Sequence, residues 1–162
     1  MKKILTNKLE AALQELEKQI PNWEMECKAV SKSNVGWHIE HSLLSITEII
    51  KAIQQADPDT YTRTFRLPGW IVLNLRKIPR GRAKSPEVVV PKGYNEQSLR
   101  EHCKRAMERI MELSSQNPDQ YFHHPYLGNL KLPKAIIFLE IHTQHHINII
   151  NEIVRKGGGD LK

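Results

Sequence analysis

The sequence has few cysteines and no long apolar run, and both absences narrow the class of protein. Its two cysteines, Cys27 and Cys103, lie far apart and lack CxxC spacing, which disfavours a disulfide scaffold or a zinc ribbon. Cys103 is expected to be a small core residue. No apolar run approaches the roughly 20 residues of a membrane-spanning helix, and the start, "MKKILTNKLEAAL", is too polar for a signal peptide. We therefore expect a cytoplasmic protein without a membrane span.

Several motifs that carry specific chemistry are also missing. The sequence has no Gly-rich phosphate loop, no internal repeat and no HExxH, and no histidine has a glutamate three residues before it. The last two absences disfavour a zincin and a di-iron carboxylate bundle. The only strand-like run is "EVVV" before Pro91.

Apolar residues at helical spacing are the dominant pattern of the sequence. Apolar residues recur at three- and four-residue steps in four segments, which begin near residues 4, 35, 95 and 133. This pattern predicts an all-α fold, a four-helix bundle that forms a single domain over residues 1–156. The "GGGDLK" tail at 157–162 is expected to be disordered.

The connection between the second and third helical segments is long. It runs from Asp57 to Tyr94, far more than neighbouring antiparallel helices need. We therefore predict a crossover that lets the second and third helices run parallel, with a short helix from about Trp70 to Lys77.

Acidic residues are absent from residues 60–86, a part of this connection. The segment contains seven basic residues, which are Arg63, Arg66, Arg76, Lys77, Arg80, Arg82 and Lys84. The excess of basic residues that gives the chain its formal net charge of +6 therefore lies in one segment. This distribution weakens the case for nucleic-acid binding. We interpret the segment as a solvated lid over one end of the bundle. The alternatives are arginines that guide an acidic small substrate, and contact with nucleic acid or a membrane surface.

Histidines are numerous and clustered. Of the eight, seven fall in three groups, which are His38 with His41, His123 with His124, and His142 with His145 and His146. His142 and His146 share the apolar stripe of the last helix one turn apart, so two imidazole nitrogens can converge on one ion. A pair of hydrogen-bonded core histidines is the competing interpretation. His145 lies at the edge of the stripe.

A third ligand has to come from another helix, and the second one offers "NVGWHIEH". Periodicity slightly favours His38, which lies nearer the main apolar stripe, whereas His41 shares a second face with Trp37 and Glu48. A bundle helix contacts two neighbours, so either face can look inward and both histidines stay open. Glu48 is a weak candidate for a general base.

These stretches resemble the DinB-like metal-binding four-helix bundles. "NVGWHIEH" is similar to the first motif of that family, with His41 at the metal position, and "HTQHH" is similar to the second, with His142 and His146 at the other two. "HPYLGNL" also looks like a stretch of one branch. The resemblance implies a crossover bundle with a three-histidine site on His41, His142 and His146. We expect this site to hold a divalent metal ion, zinc or nickel.

The resemblance leaves the other histidines without an assigned role. The family usually has an aliphatic residue at the position of His38, which is therefore either a hydrogen-bonding partner near the site or a polar residue at the rim of the bundle. We expect His145 and His124 to support the site or the fold rather than to bind the metal.

The first function that the resemblance implies is that of an enzyme acting on a small molecule. Three imidazoles leave coordination positions open, as in catalytic zinc sites, and the bound ion can activate water or polarise a substrate oxygen or sulfur. An anionic or thiol substrate fits its positive charge. The resemblance implies metal-dependent hydrolases, or transferases and isomerases that activate a small thiol. The alternative is a non-catalytic metal-binding or stress-response protein with a structural or regulatory metal, and a homodimer is plausible for either.

Overall fold

The fold is mostly helical, as predicted. The computed structural model describes residues 2–81 and 85–158. Its α-helices are α1 (Lys2–Glu17), α2 (Val35–Gln55), α3 (Leu67–Leu75), α4 (Glu96–Glu112) and α5 (Leu132–Gly157). Of the tail at 157–162, for which we predicted disorder, Gly157 is the last residue of α5 and Gly158 is its C-cap, and residues 159–162 lie outside the described residues.

A small antiparallel hairpin corrects the expectation of a purely helical chain. It consists of β1 (Tyr121–His124) and β2 (Gly128–Lys131), with Tyr121 opposite Lys131. Each strand has only four residues, too few for an alternating pattern to stand out in the sequence. The strand-like run "EVVV" is not a strand either, since Glu87–Val89 forms a 3₁₀ turn that packs against α2.

The starts of α2 and α4 are set by capping residues. The side chain of Asn34 accepts a hydrogen bond from the Trp37 amide at the start of α2. Asn95 and Ser98 form a reciprocal capping box at the start of α4. Both arrangements satisfy amide groups that a helix leaves unpaired in its first turn.

The four long helices surround one hydrophobic core. α1 packs against α4 and α5, and α2 packs against the same two helices. Their apolar stripes supply most of the buried leucine and isoleucine side chains. Cys103 is among the buried residues of this core, as expected.

Cross-helix contacts give the helix directions. Residues of α2 and its cap pair in ascending order with those of α4 and the residues before it, as Asn34 with Tyr94, Glu40 with His102, and Gln54 with Glu112. The order is reversed against α5, where His38 pairs with His146 and His41 lies beside His142. α2 therefore runs parallel to α4 and antiparallel to α5.

The basic segment is tied to α5 by α3 and two ion pairs. Arg76 pairs with Glu140, and Arg80 pairs with Glu152 at 2.7 Å. α3 buries Val72, but it does not cover the bundle with all its apolar residues as a lid would, because several are exposed, namely Leu67, Trp70, Ile71 and Leu75. Arg82 and Lys84 lie outside the described residues. Among the described helices, none is long and apolar enough to cross a membrane.

Gly36, the glycine of "NVGWHIEH", allows α2 to start close to two other segments. A Cβ at this position would lie 2.5 Å from Tyr94 Cε2 and 3.0 Å from the Trp23 carbonyl oxygen. Tyr94 cannot move away freely, because its hydroxyl donates to Asn34 at 2.7 Å. We therefore expect Gly36→Ala to lower the free energy of unfolding by about 1–3 kcal/mol, as measured by urea denaturation.

The matched control for this prediction is Gly93→Ala. A Cβ at Gly93 would have no atom within 4 Å, so a change within about 0.5 kcal/mol is expected. Equal stability of the two variants would contradict the close packing at Gly36.

Candidate metal centre

Three histidines from two helices meet at the interface of α2 and α5. His41, His142 and His146 each offer one nitrogen, and these atoms all lie within 4.8 Å of one another. The ring centroids are 5.1 Å apart for His41 and His142, 4.8 Å for His41 and His146, and 4.7 Å for His142 and His146. Zn–N bonds of about 2.0–2.1 Å place tetrahedral ligand atoms roughly 3.3 Å apart. The cluster is thus positioned to hold a metal ion.

The orientation of His41 is set by a backbone carbonyl. Its Nδ1 lies 2.7 Å from the Val89 carbonyl oxygen, which can only accept, so Nδ1 carries the proton and donates. Nε2 then keeps its lone pair for an ion. The ring also stacks on Trp37, with centroids 4.9 Å apart and an interplanar angle of 10°. The 3₁₀ turn that holds Val89 therefore selects the tautomer of His41 that leaves Nε2 unprotonated.

His142 has a buried nitrogen without a partner. Within the described residues, two buried side-chain atoms lack a hydrogen bond, His142 Nδ1 and Gln120 Oε1. Leaving a buried polar atom unpaired costs about 1–3 kcal/mol. An ion at the cluster fits the chemistry of this residue, because coordination by the imidazole would offset that cost.

His146 is held by a second histidine rather than by a carbonyl. Its Nδ1 lies 2.9 Å from His38 Nδ1, which leaves Nε2 as the nitrogen available to an ion. His38 Nε2 lies in turn 2.9 Å from Ser31 Oγ. Both His38 and His41 therefore contribute to the site, and their roles differ.

Burial keeps the three imidazoles neutral. It lowers the pKa of His142 and of His146 well below the ordinary value of 6.5, and the charges of neighbouring imidazoles lower both further. Burial also lowers the pKa of His41, although the hydrogen bond to Val89 acts in the opposite direction. Neutral imidazole is the form that binds metal, so burial favours the protonation state that a metal site needs.

Positive charge lies close to the cluster. After burial, the Arg80 guanidinium is the largest cause of the lowered pKa of His145, and it also lowers the pKa of His38. The ring of His145 lies 5.2 Å from that of His146, but His145 is not part of the three-histidine group. Arg80, which also pairs with Glu152, therefore acts electrostatically on two histidines that lie beside the three-histidine group.

Two other candidate residues have structural partners elsewhere. His124 Nδ1 accepts hydrogen bonds from the Tyr126 and Leu127 amides in the turn of the hairpin, so its role there is structural. Glu48 lies 4.0 Å from Lys51 and is not part of the three-histidine group.

No pattern in the sequence indicates the two groups that orient histidines of the cluster. The Val89 carbonyl lies in the run that resembled a strand, and Ser31 lies in the loop before α2. A backbone carbonyl and a loop hydroxyl are identified only by tertiary contacts. Arg80, by contrast, belongs to the basic segment that the sequence had marked.

Comparison of the chain with protein-family models, with curated proteins and with solved structures finds no match. The class of protein is therefore defined by fold and site together. It is a mostly helical protein with a three-histidine cluster that could bind a metal ion.

Proposed function

We propose that the chain is a DinB-like four-helix bundle that binds one divalent metal ion through His41, His142 and His146. The observation that carries this proposal is the convergence of three histidine nitrogens within 4.8 Å. The unpaired Nδ1 of His142 supports it. Zinc or nickel is proposed because both accept neutral imidazole ligands.

We further propose that the protein is a metal-dependent enzyme of the hydrolase or thiol-transferase type that acts on a small molecule. A divalent ion held by three histidines supplies Lewis acidity toward a substrate oxygen or sulfur, or toward an attacking water or thiol. The chain itself orients the rings of His41 and His146 through their Nδ1 atoms and packs Trp37 against His41. Three neutral ligands leave the charge of the ion uncompensated, so the site favours an anionic substrate or a thiolate.

Cobalt substitution tests whether the site has an open coordination position. We expect the cobalt-loaded, untagged protein to show a visible spectrum that changes on addition of azide or a small thiol. The same additions to cobalt-loaded His145→Ala should give the same change, since His145 lies outside the three-histidine group. A cobalt spectrum that no added ligand changes would contradict the enzymatic proposal and favour a structural or regulatory metal.

A further inference from the structure

We infer that His38 and Ser31 are positioning residues that determine which nitrogen of His146 faces the metal. This inference rests on the proposed metal site and assigns a role to the histidine that departs from the family pattern. His38 has 4% of its surface exposed and His146 has 7%, so the hydrogen bond between them is shielded from water.

The three residues form a continuous hydrogen-bonded chain. His146 Nδ1 lies 2.9 Å from His38 Nδ1, and His38 Nε2 lies 2.9 Å from Ser31 Oγ. Ser31 Oγ also accepts a hydrogen bond from the Ser33 amide at 3.1 Å. The chain thus extends from the three-histidine cluster to the loop before α2.

Each bond between two of these groups holds one proton, so the chain has only two consistent directions. When His146 keeps the lone pair on Nε2, its Nδ1 carries the proton and donates to His38 Nδ1. His38 then carries its own proton on Nε2 and donates to Ser31 Oγ. A hydroxyl oxygen has two lone pairs, so Ser31 can accept from both His38 and the Ser33 amide.

The opposite direction removes His146 as a ligand. If the Ser31 hydroxyl donates to His38 Nε2, His38 Nδ1 carries the proton and donates to His146 Nδ1. The proton of His146 then lies on Nε2, and neither of its nitrogens has a free lone pair. Metal binding therefore requires the direction that runs from His146 to Ser31.

This arrangement differs from that of His41, whose partner is a carbonyl oxygen that can only accept. A ligating histidine usually donates its second N–H to a carboxylate, a carbonyl or water. Here a neutral imidazole takes that place, which orients the ring of His146 without adding negative charge. The centre therefore keeps the positive charge that suits an anionic substrate.

The test is the zinc affinity of full-length, untagged protein, measured by competition with a chromophoric chelator. His38→Leu removes the acceptor for His146 Nδ1, and we expect it to weaken zinc binding by about 10- to 100-fold. His38→Gln offers a carbonyl oxygen as acceptor and is expected to restore most of the affinity. His102→Leu is the matched control, because His102 is equally buried but pairs with Glu40 on the α2–α4 side.

Nitrogen NMR of the zinc-loaded wild type gives a readout that does not depend on any variant folding. We expect His146 to show a protonated Nδ1 and a metal-bound Nε2. Zinc affinity of His38→Leu equal to wild type, or His146 bound through Nδ1, would overturn this inference while the metal site stands. Failure of the wild type to bind zinc would overturn both the inference and the proposed function.

Discussion

Zinc at a hundred times its dissociation constant is expected to raise the midpoint of thermal unfolding by about 5–10 °C. A ligand at that concentration stabilises the folded state by about 2.7 kcal/mol, and each kcal/mol shifts the midpoint by about 2–4 °C in a chain of this size. The physical reason is that the folded state brings together three histidines that the unfolded chain keeps apart. Differential scanning fluorimetry of untagged protein, with and without zinc, measures the shift.

Two variants decide whether the shift comes from the three-histidine cluster. His41→Ala removes the ligand from α2, and we expect it to lose most of the stabilisation by zinc. His145→Ala removes a neighbouring imidazole outside the group and should keep it. The same shift in wild type and His41→Ala would mean that zinc binds elsewhere on the chain.

Metal-free protein is expected to lose at least about 3 kcal/mol of stability between pH 7 and pH 5. Burial lowers the pKa of six histidines, namely His38, His41, His124, His142, His145 and His146. Their pKa in the unfolded chain is about 6.5, so below that pH the unfolded state binds protons that the folded state does not. Stability is therefore complete above pH 6.5 and falls as the pH falls through this window.

The lower limit of the window is set most clearly by two residues. The pKa of both His38 and His124 is lowered to about 4, in each case mainly by burial. Each such group adds up to about 1.4 kcal/mol per pH unit to the slope. Urea unfolding of chelator-treated protein at a series of pH values measures the slope. His38→Leu should reduce this slope by up to about 1.4 kcal/mol per pH unit, the contribution of one proton. A stability that stays constant from pH 7 to pH 5 would contradict the burial of neutral histidines.

The helical part of the fold could be predicted because it depends on local patterns. The start of α2 was expected at Val35 and is found there, since Asn34 is a strong N-cap. The short helix expected over residues 70–77 lies at Leu67–Leu75, with Pro68 in its first turn. The hairpin before α5 escaped prediction because its short strands depend on cross-strand pairing.

The relation between His142 and His146 could be predicted from their four-residue spacing in one helix. The choice between His38 and His41 could not, because it depends on which neighbour each face of α2 contacts. The two residues lie only about 60° apart on a helix, and the face they share packs on α5. Periodicity slightly favoured His38, and the family resemblance favoured His41. In the structure, His41 belongs to the three-histidine group and His38 forms a hydrogen bond with His146.

Metal content is the most direct measurement of the central claim, which is that His41, His142 and His146 hold one ion. Elemental analysis should be made on untagged wild-type protein beside His142→Ala, purified in the same way without added chelator. We predict close to one zinc or nickel ion per wild-type chain and almost none in His142→Ala. Equal metal content in the two proteins would contradict the site.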